Sequence, residues 1–108
     1  MANTFKNAAT GSNTSVTTFY TCPADTTSVI HAIYVSNVDG SNDATINLTV
    51  SGSANFQTRR HLMKTVNVPA DSTLIVEKPI KLGAGDKLET QASANDDLEV
   101  FASILEIT

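Results

Sequence analysis

The stretch Ala44-Thr45-Ile46-Asn47-Leu48-Thr49-Val50 decides the fold, because apolar and polar side chains alternate in it without a break. A period of two places alternate side chains on opposite faces of a β-strand. Ile46, Leu48 and Val50 therefore face a core, and the polar residues between them face outward. We predict a strand of an antiparallel sheet whose two faces differ in polarity.

The longer stretch 27–37, Thr-Ser-Val-Ile-His-Ala-Ile-Tyr-Val-Ser-Asn, carries apolar residues at both parities. A uniform period of two gives two apolar sets, one for each face: Val29, Ile33 and Val35, and Ile30, Ala32 and Tyr34. A strand that is apolar on both faces is covered on both faces. We therefore predict that this strand is central in its sheet or lies in an interface.

Further β-rich segments follow the same pattern and bring the expected total to about eight strands: 14–21, 59–68, 73–77, 80–82, 87–93 and 98–107. The segments between them are rich in Pro, Gly, Asn and Asp, which favour turns. Frequent turns and short strands without a helical period indicate an all-β fold, an antiparallel β-sandwich that is jelly-roll-like. Residues 1–13 form an N-terminal arm or an edge strand, and residues 14–108 form the single sandwich domain.

Composition and charge indicate which kinds of partner the chain does not have. The chain is 41% apolar, which is typical of a folded domain, and its net charge is −4. Lys and Arg are scattered rather than clustered, so we expect no nucleic-acid partner. No segment approaches the roughly 18 apolar residues that span a membrane, and the first residues lack a secretion signal, so we expect no membrane association. The single cysteine, Cys22, excludes an intramolecular disulfide and fits synthesis in a reducing cytosol.

The residues able to carry chemistry do not form a recognisable site. A zinc site needs three or four ligands, usually Cys or His, and the sequence has one cysteine with two distant histidines, His31 and His61. The glycines of Gly83-Ala84-Gly85 precede a strand rather than a helix, which argues against a phosphate-binding loop. Several carboxylates lie in turns, where they bond the backbone: Asp39, Asp43, Asp71, Asp86, Asp96 and Asp97. We predict no catalytic residue, no metal and no cofactor.

Four longer phrases of the sequence carry a resemblance to a known group of proteins: Phe-Tyr-Thr-Cys-Pro-Ala-Asp at 19–25, Thr-Val-Asn-Val-Pro-Ala-Asp-Ser-Thr-Leu-Ile-Val at 65–76, and the segments 79–88 and 100–107. Together they resemble small virion structural proteins of tailed bacteriophages, notably marine and cyanobacterial phages. The likeness covers most of residues 14–108. It implies a β-sandwich building block present in many copies, and it implies no catalytic residue. The position on the capsid, neck or tail stays open.

The resemblance leads to the hypothesis of a capsid decoration (cement) protein that bridges capsomers and stabilises the head. Its expected partners are its own copies, as a trimer or another cyclic homo-oligomer, and the major capsid protein or other virion proteins. We expect it in the virion, after synthesis in the host cytoplasm. The contact candidates lie in the N-terminal arm and in the loop 51–60: Phe5, Lys6, Phe56, Arg59 and Arg60.

Two other non-enzymatic functions fit the same features. A neck, tail or baseplate component would use the same kind of building block in fewer copies. A carbohydrate-binding host-recognition module would use aromatic platforms, but the chain has no Trp and few other aromatic residues, most of which the core needs.

Overall fold

The computed structural model describes residues 2–52 and 59–108, and these form two antiparallel sheets. Their nine strands are β1 (Asn3–Ser12), β2 (Thr17–Thr21), β3 (Thr27–Asn37), β4 (Ala44–Ser51), β5 (Arg60–Val68), β6 (Thr73–Val76), β7 (Ile80–Leu82), β8 (Lys87–Ala92) and β9 (Leu98–Ile107). Neither described range contains a helix that could cross a membrane. The prediction of an all-β fold with antiparallel sheets is therefore confirmed, with nine strands instead of about eight.

The first sheet, called sheet A, has the strand order β1-β9-β3-β6, and β7 also pairs with β3. Sheet B has the order β2-β8-β4-β5. The strands β6 and β7 are separate because Lys78 and Pro79 stand between them, and proline has no N–H to donate to a ladder. The strand β3 is central in sheet A, with β9 on one side and β6 and β7 on the other.

The core contains apolar side chains from both sheets. The largest fully buried ones include Ile30 and Ile33 of β3, Ile46 and Leu48 of β4, Leu88 of β8, and Val100 and Ile104 of β9. Burial of each such side chain stabilises the fold by roughly 1.5–3 kcal/mol relative to exposure. The alternation in β4 placed Ile46, Leu48 and Val50 correctly in this core.

A β-bulge in β3 changes which side chains reach the core. The register between β3 and β9 shifts between Ile30 and Ala32, so that His31 is an extra residue. The inward set is Ile30, Ile33 and Val35, and the outward set is Val29, Ala32 and Tyr34. An extra residue reverses the parity of a strand, so the faces predicted for Val29 and Ile30 from a uniform period of two are wrong.

Two turns share the phrase Pro-Ala-Asp and a left-handed backbone at its Asp. Asp25 has a φ of 56° and Asp71 a φ of 57°, both in the left-handed region that Asp tolerates better than most residues. In the second turn the N–H of Ser72 donates to the carbonyl of Pro69 at 3.2 Å. The repeated phrase thus places its Asp in the left-handed region in both turns.

The strand β1 stands at one lateral edge of sheet A and pairs with β9 over all of its ten residues, from Asn3 opposite Ile107 to Ser12 opposite Leu98. Residues 1–13 were predicted to form either an arm or an edge strand, and residues 3–12 form an edge strand. Removing them would expose β9 as a new edge. Substitutions along β1 are therefore better probes of its contacts than a truncation.

Candidate functional site

The outer face of sheet A, which points away from the core, carries a row of large side chains. Tyr34 of β3 stands opposite Phe101 of β9 on one side and opposite Ile75 of β6 on the other. Their exposed fractions are 39% for Tyr34, 42% for Phe101 and 44% for Ile75. We call these three residues, two of them aromatic and one aliphatic, the aromatic row. Large apolar side chains grouped on a surface mark an interaction site more often than single ones do.

A groove of about 400 Å³ lies at the β1 end of the aromatic row. Ala9 stands opposite Phe101 in the next strand. Its side chain is small and Gly11 has none, which leaves space beside the aromatic ring. Ser36 and Glu99 add polar groups to the lining. The groove can therefore accept an apolar group against Phe101 while it offers a carboxylate and a hydroxyl at its rim.

Phe5 has the largest exposed fraction among the described large apolar residues, 77%. It lies on the outer face of β1, where its ring is stacked on that of His31 at 6.4 Å between centroids and an angle of 27°. The bulge in β3 brings His31 to this position as the extra residue. The predicted contact residue Phe5 is thus held on an edge strand and available to a partner.

Lys6 points to the other side of β1, towards a polar cluster between the sheets. Its Nζ lies 2.9 Å from Oε1 of Glu106, whose other carboxylate oxygen accepts a 2.6 Å hydrogen bond from the hydroxyl of Tyr20. The Tyr20 hydroxyl also shares a 2.6 Å hydrogen bond with Ser28, and Ser28 donates to the buried Sγ of Cys22. Lys6 is therefore engaged within its own chain, unlike Phe5.

Both ionisable partners at the centre of this cluster are held in one protonation state. The hydrogen bond from Tyr20, aided by Lys6, lowers the pKa of Glu106, although burial opposes this. Burial and the Glu106 carboxylate raise the pKa of the Tyr20 hydroxyl well above its ordinary value. A general acid or base works best with a pKa near the working pH, so this cluster is better suited to joining β1, β2, β3 and β9 than to proton transfer.

The two arginine candidates lie at the start of β5 in sheet B, where Arg60 is the first residue of the strand and Arg59 directly precedes it. Nε of Arg59 donates to Oε1 of Glu89 at 2.8 Å, and Thr49 donates to the same oxygen at 3.2 Å. The bond from Arg59 lowers the pKa of the buried Glu89 carboxyl. Arg60 is exposed at the start of β5, opposite Val50. The third candidate of this loop, Phe56, lies outside the described residues.

The structure does not bring the candidates together at one place. Phe5 and Lys6 are on β1, at the edge of sheet A that lies against β2, whereas Arg60 begins β5, which lies against β3. The two groups thus belong to opposite lateral edges of the molecule. Such a placement suits contacts with two different neighbours better than one compact binding site.

The turn carboxylates have structural partners. Asp39 accepts hydrogen bonds from the backbone N–H groups of Ser41 and Asn42, and the bond from Ser41 is the largest cause of its lowered pKa. Asp43 accepts from the N–H of Ala70 at 3.0 Å. Within the described parts of the chain, no group of three or more His, Cys, Asp or Glu side chains could hold a metal ion.

Sequence reasoning missed the aromatic row and the polar cluster around Glu106. A signal for the row was present, since residues 98–107 are apolar at both parities, with Phe101, Leu105 and Ile107 outside and Val100 and Ile104 inside. No such signal existed for the cluster, because Tyr20 and Glu106 are 86 positions apart. Only the pairing of the strands brings them together.

Comparison with protein-family models, with curated proteins and with solved structures gives no match for this chain. Its fold, its outer face and its edges are therefore what indicates its function.

Proposed function

We propose that the chain is a non-enzymatic structural protein of a tailed-phage virion, namely a capsid decoration protein whose copies bridge capsomers and stabilise the head. The observation that carries the proposal is the aromatic row of Tyr34, Phe101 and Ile75, which stays exposed on a small sandwich. A partner surface that covers this face would add to the limited apolar burial that a 108-residue domain achieves alone. Many modest contacts, repeated over a shell, add up to a large stabilisation.

We also propose that the two sheets form a jelly roll. In that topology a long hairpin folds over, so that strands pair from the chain ends inward. The pairs β1–β9, β2–β8 and β4–β5 support this nesting, as do the pairs of β3 with β6 and β7 if these two count as one interrupted strand. Jelly rolls occur in viral capsid proteins and in lectins.

The positions of the contact candidates support a bridging role. Phe5 stands at the β1 edge of sheet A, and Arg60 stands at the opposite edge, on β5 of sheet B. A molecule with contact groups at two edges can touch two neighbours at once. A neck or tail component built from the same domain would also use such contacts, and it differs in having far fewer copies per particle.

The groove beside Phe101 favours a second candidate, a carbohydrate-binding host-recognition module. Sugar rings stack on aromatic side chains, and their hydroxyls bond carboxylates and hydroxyls. Phe101, Tyr34, Glu99 and Ser36 supply these groups around a groove of about 400 Å³. The groove is small and lacks Trp, so we rank this function second.

The experiment that tests the main proposal is a binding assay with phage heads that lack the protein. Purified protein is mixed with these heads and the bound fraction is measured by co-sedimentation. We expect the native chain and the variant Val16→Glu to bind and Phe101→Glu to stay in the supernatant. Val16 is a matched control, because it is 40% exposed and Phe101 42%. A native chain that stays in the supernatant, yet binds glycans through Phe101, would favour the second candidate.

A further inference from the structure

The four lateral edges of the two sheets are not equally protected against pairing with another strand. The strand β2 has five residues and a register shift between Thr18 and Tyr20, and the ladder between β4 and β5 shifts twice. Pro79 interrupts the edge formed by β6 and β7. By contrast, β1 has ten residues in unbroken register with β9. Bulges, short strands and proline protect edges, so β1 is the edge best able to accept a further strand.

Alternation of hydrogen bonds along β1 fixes which backbone groups face this edge. Ala2 and Thr108 exchange both backbone bonds, at 3.2 and 2.9 Å. In an antiparallel ladder such doubly bonded pairs recur at every second residue. The even-numbered residues of β1 therefore bond β9, and the others direct their N–H and C=O groups away from it: Asn3, Phe5, Asn7, Ala9 and Gly11.

We propose that β1 pairs antiparallel with β1 of a second copy about a two-fold axis at Asn7, which joins two A sheets into one continuous sheet. The partner is thus this chain itself, and the contact is the same patch on both copies. The inference rests on the proposed function, in which many copies of the chain act together. It names the surface through which two copies contact each other.

The side chains of β1 are complementary to each other in this register. Phe5 comes opposite Ala9 of the second copy, Lys6 opposite Ala8, and Asn3 opposite Gly11, so in these three pairs a larger residue meets a smaller one. Thr4 meets Thr10, and Asn7 meets its own copy. Opposite pairs of this kind are the unit of contact between strands, and like charges placed directly opposite are unfavourable. The axis at Asn7 keeps the two Lys6 side chains from standing opposite each other.

Neighbouring registers are less favourable. An axis at Lys6 would place two ammonium groups directly opposite each other. An axis at Ala8 would bring Ser12, which is fully buried and bonded to Thr90, into the new ladder. With the axis at Asn7 the ladder spans residues 3–11, most of which are exposed.

The groove beside Phe101 gives independent support for the same register. Ala9 stands between the free edge and Phe101, and its small side chain leaves the groove open. The proposed pairing places Phe5 of the second copy opposite Ala9, at the mouth of this groove. The aromatic row of one copy would then continue into Phe5 of the other, and the most exposed apolar side chain would be covered.

The oligomeric state of the full-length chain tests the pairing, by light scattering after size exclusion. We expect a dimer of the 11.4 kDa chain. Asn7→Pro should be monomeric and folded, because this N–H points to the free edge, where proline is tolerated. Circular dichroism checks the fold. Phe5→Ala should weaken the dimer at least tenfold. A monomeric native chain, or a dimer that Asn7→Pro leaves intact, would overturn the proposal.

Cysteine substitutions test the register directly. Asn7→Cys should form a disulfide-linked dimer under mild oxidation, because residues on the axis face their own copies at about 5.5 Å between Cα atoms. Ala9→Cys is the matched control on the same strand, face and edge. It should not cross-link, because it meets Phe5. Cross-linking of Ala9→Cys in preference to Asn7→Cys would overturn the register.

Particle binding separates this inference from the proposed function. A native chain that is monomeric but coats phage heads would refute the pairing and leave the decoration role standing. A native chain that dimerises through β1 but does not bind heads would support the pairing and refute the decoration role.

Discussion

Phe101 and Tyr34 stand side by side on the outer face of sheet A, with ring centroids 6.5 Å apart and ring planes at 50°. This separation lies within the range in which aromatic pairs attract each other. Both residues nevertheless stay about two fifths exposed. The pair therefore contributes to the fold and also offers apolar surface to a partner.

A double-mutant cycle should detect the coupling of this pair. Tyr34→Ala and Phe101→Ala each remove one ring, and we expect a coupling energy of about 0.5–1.5 kcal/mol in the free energy of unfolding. Urea denaturation of the two single variants and the double variant measures it. Phe101→Ala combined with Leu62→Ala, on sheet B, is the control pair and should be additive. Additive effects of Tyr34→Ala and Phe101→Ala would refute the contact.

Loss of the Tyr20 hydroxyl should destabilise the protein at neutral pH. Tyr20→Phe removes the 2.6 Å donor of the buried Glu106 carboxylate, and hydrogen bonds to charged groups contribute about 1.5–3 kcal/mol. Urea denaturation at pH 7 gives the change. Tyr34→Phe is the control, because its hydroxyl lies on the exposed face of sheet A. Equal stability losses in the two variants would contradict the role of Glu106.

The same variant should change the acid dependence of stability. The pKa of Glu106 is lowered in the folded state, so its contribution is present above the ordinary carboxyl pKa and is lost as the pH falls through the lowered value. The free energies of native protein and Tyr20→Phe should therefore converge in acid. Denaturation curves from pH 7 to about pH 2 test this. A constant difference over the whole range would contradict it.

The ion pair between Arg59 and Glu89 makes a similar prediction for sheet B. Arg59→Ala removes the first cause of the lowered Glu89 pKa, so the melting temperature should fall by a few degrees at pH 7. The loss should vanish in acid, where Glu89 is protonated in both proteins. Arg60→Ala is the neighbouring control and should melt like the native chain at both pH values. A larger fall in the melting temperature of Arg60→Ala than of Arg59→Ala would contradict the role given to Arg59.

Thr65 occupies a strained backbone position in β5. Its φ is 52°, which is unfavourable for a β-branched residue, and its N–H donates to Oδ1 of Asn47 at 2.7 Å. Asn tolerates this conformation, so Thr65→Asn should stabilise the fold by about 1 kcal/mol. Thr45→Asn in β4 is the control without this strain and should not stabilise. Thermal or urea unfolding measures both, and a destabilised Thr65→Asn would contradict the explanation.

The strand positions follow closely from the sequence, because turns and alternation are local. The segment 27–37 matches β3, and the segment 98–107 matches β9. What local patterns could not show is the bulge at His31, which depends on the pairing of β3 with β9. The bulge decides that Ile30, rather than Val29, is in the core.

The exposed groups of the proposed contact surface were predictable only in part, for the same reason. Phe5 is predicted as a contact residue of the N-terminal arm, and it is exposed, so the contact stays a prediction. Lys6 is a contact candidate of the same arm, but neighbours in a strand face opposite sides, and Lys6 pairs with Glu106. The aromatic row needed the register of three strands, which sequence spacing alone does not give.

The number of copies of this chain per virion tests the central claim most directly. If the proposed function holds, a tailed phage encodes the chain, and quantitative mass spectrometry of its purified particles gives the ratio of the chain to the major capsid protein. A decoration protein predicts a copy number of the same order as that of the capsid protein. A single small ring of copies would move the chain to the neck or tail, and its absence from the particles would contradict a structural role in the virion.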